Sequence, residues 1–351
     1  MKLKKEKPKI INKVLLTWPA NKNEVKKVKE ALPSKTELVV PACTDSQMSH
    51  YFCPTEILSE EANDAEIMIG WVTPSKVIQK SKKMKLVILL RSNFSGLDFN
   101  LLREKNVKVA TVNYDYADSK SEYALALAIC LAKKIIQNNK SAITSEWHPI
   151  WDPQFTTMKL AGKTICVTDL GPVAREIARR GDALNMKVVA IAKDFAIETL
   201  RLECTYPPED IKSAFSSSDF IILTNSVVGS KLLQINESEL KLMKREAFLI
   251  NITTANIVSE AALYKALTQG WIAGYGSDVW WDYTDSIPEH KSLPTLSRMG
   301  VHNLPNVIAT LNAATDSIEE KDKLLDEGLD LLKNYFSGKP LKNLFDPRKG
   351  F

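Results

Sequence analysis

The residues best suited to chemistry gather around one tight turn. Thr164 to Thr168 is a β-branched run that leads into Asp169-Leu170-Gly171-Pro172. Helical periodicity follows from Val173 to Leu184, and a second strand pattern runs from Lys187 to Ala192. A strand, a tight turn, a helix and a strand form the βαβ unit whose turn and helix N-terminus hold a pyrophosphate through backbone N–H groups. A dinucleotide fingerprint asks for G-x-G-x-x-G or G-x-G-x-x-A. The three positions here are Asp169, Gly171 and Ala174. Gly171 allows close backbone approach and Ala174 is tolerated, but Asp169 brings a carboxylate to the phosphate site. Like charges about 4 Å apart repel by roughly 1 to 4 kcal/mol at dielectric constants between water and a protein surface. The expectation is that Asp169 caps the helix N-terminus and fills the anion site from within.

The elements that position this turn follow from the rest of the pattern. Lys13–Trp18, Glu37–Val40, Glu66–Gly70, Leu86–Leu90 and Val107–Val112 read as strands. Helical segments alternate with them, at Asn23–Leu32, at a helix opening with Thr73 as cap and Pro74 at the first helical position, and at Asp98–Glu104. Continuous apolar strands alternating with helices predict a parallel sheet covered on both faces. Ser119–Ile136 reads as one long helix, apolar on nearly all sides, which must be buried in a core or against another subunit. Gln137–Met158 carries Trp147, His148, Pro149 and Trp151 with little regular pattern, as an aromatic arm suited to packing on a second protomer would. Further strands are expected at Phe220–Leu223, Ala247–Ile252, Ile272–Val279 and Asn306–Thr310. Helices are expected at Asn236–Met243, with Asn236 and Glu239 as a capping box, at Ser259–Thr268 and at Ser317–Phe336.

Composition narrows the function class. A chain of 351 residues has room for two cores, and 44% hydrophobic with 25% charged residues is ordinary for a soluble globular protein. No apolar run has membrane-spanning length and no apolar h-region follows the lysine-rich start, so a cytoplasmic location is expected. The net charge of +5 comes without a basic, aromatic-interleaved motif, which argues against nucleic acid. Cysteines 43, 53, 130, 166 and 204 show no CxxC spacing, and Cys43 and Cys53, which could pair, are read as unpaired thiols. No metal site is expected.

The segments 106–133, 160–192, 218–225, 240–281 and 304–315, in this order and spacing, resemble the D-isomer-specific 2-hydroxyacid dehydrogenase family, including its formate, phosphonate and glyoxylate types. The resemblance covers nearly the whole chain. It implies an α/β fold of two doubly wound domains. A flavodoxin-like split substrate-type domain takes 1–118 and 312–351, and a Rossmann-type nucleotide domain at 119–311 is inserted in it. It also implies a homodimer, built through a helix and arm at about 121–158, and NAD or NADP as cofactor. The family's chemistry uses an arginine to fork the substrate carboxylate, a histidine as general acid/base, and an acid that tunes the histidine. Those positions hold Thr254, Asn312 and Tyr283 (beside Asp282), while the Asp278-Val279 pair is kept. Threonine carries no charge, and asparagine cannot change protonation state near neutral pH. The cofactor positions are Asp169, Gly171, Pro172, Val173, Ala192, Lys193, Thr224 and Asp278. Ala192 stands where NAD-type members carry the ribose-binding acid. The lysine after it would point to NADP in an intact site. Thr224-Asn225-Ser226 replaces a hydrophobic-proline turn.

The substrate loop departs too, reading Arg91-Ser92-Asn93-Phe94 in place of a glycine-rich turn. Arg91 reads first as a structural ion pair, with a sharper reading as a substitute for the lost arginine. His290 and His302 do not occupy the position of the family's histidine, and His50 and His148 cannot be placed. The chain therefore reads as a catalytically degenerate relative with a structural, partner-binding or regulatory role and residual nucleotide binding, its small-molecule ligand unidentified. The alternative is an active NAD(P)-dependent oxidoreductase on a small 2-hydroxy or 2-keto acid, using Arg91, Asp278, Asn312 and Tyr283.

Overall fold

The computed structural model describes residues 12–42, 53–92, 94, 97–149, 152, 155–192, 200–225, 227–228, 231–281 and 296–348. The chain divides into two compact units, Met1–Tyr114 with Ile318–Phe351, and Asp115–Ser317. The first unit opens with β1 (Asn12–Leu16), α1 (Lys22–Ala31), β2 (Thr36–Val39), α2 (Thr55–Glu61) and β3 (Ile67–Gly70). It continues with α3 (Ser75–Lys80), β4 (Leu86–Leu89), α4 (Phe99–Lys105) and β5 (Lys108–Thr111). The second unit holds α5 (Ala117–Lys133), α6 (Ile135–Thr144), β6 (Thr164–Val167), α7 (Pro172–Ala183), β7 (Lys187–Ile191) and β8 (Cys204–Tyr206). There follow α8 (Ile211–Ser217), β9 (Phe220–Leu223), the short hairpin β10 (Val227–Val228) and β11 (Lys231–Leu232), and α9 (Glu237–Leu240). Then come β12 (Phe248–Asn251), α10 (Glu260–Thr268), β13 (Gly274–Ser277) and β14 (Val307–Ala309). The chain returns to the first unit with α11 (Ile318–Phe336) and β15 (Leu344–Phe345).

Both units are doubly wound α/β structures. The first sheet has the order β15-β5-β4-β3-β1-β2, parallel except for β15, which pairs antiparallel to β5. The second has the order β14-β13-β12-β9-β6-β7-β8, and every pairing in it is parallel. Its order reverses between β6 and β9, the place where the carboxyl ends of an open α/β sheet part to admit a ligand. Strands β3, β4, β9, β12 and β13 are buried along their whole length, because helices cover both sheet faces.

Local signals explain most boundaries. Asp98 accepts from the N–H groups of Asn100 and Leu101 and starts α4. Asn236 and Glu239 form the expected capping box, and Ser259 caps α10. Three expectations are corrected. The long apolar helix is two helices, broken at Lys134, which adopts φ 50°; α6 then runs to Thr144 through the segment read as irregular. Pro74, not Thr73, is the N-cap of α3, and it offers no side-chain cap. Cys53 is disulfide-bonded rather than an unpaired thiol; its N–H donates to Thr17 O at 2.8 Å, a tie that spacing alone could not reveal. Cys43 lies outside the described residues. Cys130, Cys166 and Cys204 are free, and burial pushes the Cys166 thiol up to about 12. Among the described residues, no helix is long and apolar enough to cross a membrane.

The course of α5 matters for the site. A Cβ at Gly274 would lie 3.4 Å from Leu131, and one at Gly276 would lie 3.2 Å from Leu127 and from Leu131. The helix therefore runs antiparallel across β13, in contact made possible by two glycines. Ala124, Leu127 and Leu131 are buried on the face that makes this contact.

Candidate functional site

The carboxyl edge of the second sheet has two corners. The first lies where β6 and β9 end side by side. Thr168, fully buried, follows β6, and its Oγ1 accepts from the N–H of Thr224 at 3.0 Å and of Asn225 at 3.4 Å. Asp169 extends the same tie. Its Oδ1 accepts the Thr224 hydroxyl at 2.5 Å, and its Oδ2 accepts the Gly171 N–H at 3.0 Å. Gly171 is the N-cap of α7, and Pro172 is the first helical residue.

This geometry revises the self-capping expectation in one respect. The carboxylate reaches the N–H of the N-cap residue and stops one residue short of the helix. No side chain caps the first turn of α7. The space over Gly171 is nevertheless taken: a Cβ there would lie 2.6 Å from Asp169 Oδ2. In a dinucleotide turn the missing Cβ at this glycine lets the backbone approach the pyrophosphate. Here a carboxylate of the chain occupies that approach. The helix itself is well anchored, since Arg180 is paired with Glu176, Asp118 and Glu122.

The second corner is built by the adjacent ends of β12, β13 and β14. Asp278, buried behind β13, is held by three donors. Its Oδ1 accepts the Thr310 hydroxyl at 2.6 Å and the Ala313 N–H at 2.9 Å, and its Oδ2 accepts the Ala314 N–H at 2.8 Å. Asn312, at φ 52°, donates its backbone N–H to Asp278 O at 3.0 Å and leads into a 3-10 turn at Ala313–Thr315. On the other flank the Asn251 side chain accepts from the Thr253 N–H and hydroxyl and donates to Thr254 O, all at 3.0 Å. That ties the turn holding Thr254. The side chains of Thr254 and Asn312 themselves make no hydrogen bond to a described residue.

One residue of this corner was missed by motif reading. Lys120 lies in the first turns of α5 and is half-buried. Its Nζ sits 5.5 Å from the Tyr116 ring centroid. Burial pushes its ammonium below the usual lysine range, against the opposing pull of Asp115 and Asp278. The signal available in the sequence was spacing: 120 falls on the helical face of 124, 127 and 131.

The structure brings Thr254, Asp278 and Asn312 together at one corner, and Asp169, Gly171, Pro172, Val173 and Thr224 at the other. Ala192 follows β7, its N–H donating to Tyr206 O at 2.9 Å. Arg91 belongs to the first unit, at the carboxyl end of β4. Lys193, Ser226, Tyr283, Asp282, Asn93, His50, His290 and Trp151 lie outside the described residues. His302 packs edge-on to Trp280, and His148 stacks on Phe155 at 3.7 Å. Among the described residues, no group of three or more His, Cys, Asp or Glu side chains is arranged to hold a metal ion.

Comparison with known proteins places this geometry among relatives. The family model described as D-isomer specific 2-hydroxyacid dehydrogenase, NAD binding domain, matches residues 125–311, more than half of the chain. Glyoxylate reductase of Pyrococcus furiosus is 28% identical over 237 residues, covering 64% of this chain and 69% of that protein. Among solved structures, the pyruvate reductase of Chlamydomonas reinhardtii superposes with a TM-score of 0.76 at 19% identity, over 95% of this chain and 99% of that one. The NAD-complexed D-isomer specific 2-hydroxyacid dehydrogenase of Lactobacillus delbrueckii ssp. bulgaricus gives 0.71 at 21% identity, over the same shares.

Proposed function

The chain belongs to the D-isomer specific 2-hydroxyacid dehydrogenase family, and from that premise we propose that it is a catalytically silent member, retained as a partner-binding or regulatory homodimer. The observation that carries this reading is the Asp169 carboxylate seated over Gly171. The residues present do not fit a pyrophosphate. The approach over the second glycine is blocked by a negative charge, and the Gly171 N–H that would face a phosphate is already bonded to that charge. No hydride-transfer step is therefore derived for this chain.

The catalytic positions support the same reading. Thr254 cannot form a charged fork around a carboxylate. Asn312 does not change protonation state near neutral pH, and losing a general acid/base typically slows a reaction by about a hundred- to ten-thousandfold. Asp278 is committed to Thr310, Ala313 and Ala314 as a structural acceptor. The split first unit corresponds to the family's substrate-type domain and the second to its nucleotide-type domain. The homodimer is assigned to α5, α6 and the arm that follows. Ile136, Ile143 and Trp147 there are 50%, 75% and 83% exposed, an apolar surface suited to a second copy.

The test is a titration with NADH and NADPH, followed by tryptophan fluorescence and melting temperature, together with assays of glyoxylate, hydroxypyruvate and formate turnover. We expect no saturable micromolar binding and no turnover. Steady-state glyoxylate reduction that is abolished by Asn312→Ala or Arg91→Ala would establish the active alternative instead.

A further inference from the structure

The amino edge of the second sheet, opposite both corners, carries a groove of about 420 Å³. Its walls come from the last turn of α5, from residues 156–158, and from the turn that leads into β12. Backbone bonds hold these walls in place. The Met158 N–H donates to Ala132 O at 2.7 Å, and the Ala273 N–H donates to Ala247 O at 2.9 Å. The Ala247 N–H closes the turn on Lys244 O at 2.9 Å. The groove is therefore preformed, as small-molecule sites commonly are, and its volume falls in their usual range.

The floor is apolar. Leu131, Ala132 and Phe248 belong to the buried core beneath α5, and Met158 and Ala273 pack against the same core while staying partly exposed. An apolar chain laid here removes apolar surface from water on both partners. The unbranched thioether of Met158 adapts readily to such an occupant.

The rim is charged. Arg245 and Glu246 stand in the turn before β12, both exposed, and neither makes a hydrogen bond or ion pair with a described residue. Lys134, in the left-handed turn between α5 and α6, adds a second cation. Two cations against one acid make the rim attractive to a negative charge. A guanidinium also matches a carboxylate in geometry, with two parallel N–H donors.

We propose that this groove binds a fatty-acid-type carboxylate, its apolar chain over Leu131, Met158 and Phe248 and its charged end at Arg245. Phe248 and Asn251 are the two ends of β12, so the site lies roughly 10 Å from the β12–β14 corner at about 3.3 Å per residue. It requires neither a bound nucleotide nor turnover.

The probe is octanoate, titrated calorimetrically into the full-length protein. Octanoate is expected to bind. Acetate lacks the chain, octanol lacks the charge and octylamine has the opposite charge, so each is expected to bind at least about fivefold more weakly. Arg245→Gln is expected to weaken octanoate about fivefold, the upper range for an exposed ion pair, and Glu246→Gln to strengthen it about twofold by removing a like charge. Lys187→Gln, at the start of β7 and outside the groove, is expected to change nothing. A second measurement localises the ligand on the unaltered protein. Oxidation of Met158 to its sulfoxide by hydrogen peroxide, read by peptide mass spectrometry, is expected to slow when octanoate is present. Absence of octanoate binding, equal binding of acetate or octanol, an affinity unchanged in R245Q, or Met158 oxidation indifferent to octanoate would each overturn the assignment. So would binding that is lost at high protein concentration, which would give the groove to contact between copies of the chain. The titration uses no nucleotide and no turnover, so its failure leaves the catalytic reading of the chain untouched, and the reverse also holds.

Discussion

The two corners of the second sheet share one edge and one architecture, yet their polar groups are disposed in opposite ways. At β6–β9, Thr168, Asp169, Gly171 and Thr224 bond to one another across the switch point, the place where an open α/β sheet ordinarily admits a ligand. At β12–β14, Asp278 accepts three hydrogen bonds, whereas the side chains of Thr254 and Asn312 make no hydrogen bond to a described residue and the Lys120 ammonium has only the Tyr116 ring and the attraction of Asp115 and Asp278 around it. A carboxylate therefore has a different meaning at each corner. Asp169 occupies the approach over Gly171, whereas Asp278 organises the loop that follows β14. Family membership alone assigns neither meaning, because a fold hosts sites without dictating them.

The comparison is tested most severely at Asp278. Asp278→Ala leaves the Thr310 hydroxyl and the N–H groups of Ala313 and Ala314 without their acceptor. Unpaired buried donors cost about 1 to 3 kcal/mol each when water does not replace the partner, and partial rehydration brings the expected total to about 3 kcal/mol. Urea unfolding read through Trp280, whose indole donates to Thr310 O at 2.8 Å, measures it. A loss below about 1 kcal/mol would mean that Asp278 does not organise its corner.

Asp169 gives the next largest effect, in ligand affinity rather than stability. Asp169→Gly removes the charge over Gly171 and restores the spacing of the dinucleotide fingerprint. Relief of roughly 1 to 3 kcal/mol of repulsion corresponds to NADH binding strengthened by about one to two orders of magnitude. Fluorescence titration of variant and parent decides it. Equal affinities would show that Asp169 is not what closes the first corner.

Much of the scaffold was readable in the sequence, and the reasons are physical. Strands such as β3, β4 and β9 are short apolar runs buried on both faces, so their composition announces them. The capping box at Asn236 and the cap at Ser259 are local, and local chemistry sets them. The misread positions depend on geometry that periodicity lacks. The apolar pattern of α5 runs through Lys134 into Ile135 and Ile136 without a break, so the left-handed turn there left no trace in composition. Strand β15 is two residues long and is defined by its partner β5, more than two hundred residues earlier. The substitution at Asp169 was visible at once, but its hydroxyl donor, Thr224, is 55 positions away. Lys120 carried no motif, and its place near Asp278 depends on α5 crossing β13 antiparallel.

A smaller effect sharpens the first corner. A Cβ at Gly171 would lie 2.6 Å from Asp169 Oδ2, so Gly171→Ala must displace the carboxylate and strain its bonds to Gly171 and Thr224. The end of an aspartate side chain can move, which keeps the expected cost near 1 kcal/mol. In an Asp169→Ala background the same change should cost close to nothing. The resulting coupling of about 1 kcal/mol is the signature of two groups sharing one space. Thermal unfolding of the four proteins of this cycle gives the number, and additive effects would separate the glycine from the carboxylate.

The smallest effect concerns Lys120 and has a sign that distinguishes the corners. Burial lowers the ammonium's pKa in the folded chain below the usual lysine value of 10.5 and outweighs the attraction of Asp115 and Asp278. Between the lowered folded value and 10.5 the unfolded chain binds more protons, so stability rises with pH across that window. Below the window both states are protonated and the folded chain bears the full cost of holding a charge with little water around it. Lys120→Met removes that cost. The variant is expected to melt about 2 °C higher at neutral pH, with the advantage shrinking as pH climbs through the window. Melting curves across neutral to alkaline pH follow it. A variant less stable than its parent at neutral pH would mean that Asp278 and Asp115 already satisfy the lysine, and the second corner would then be as closed as the first.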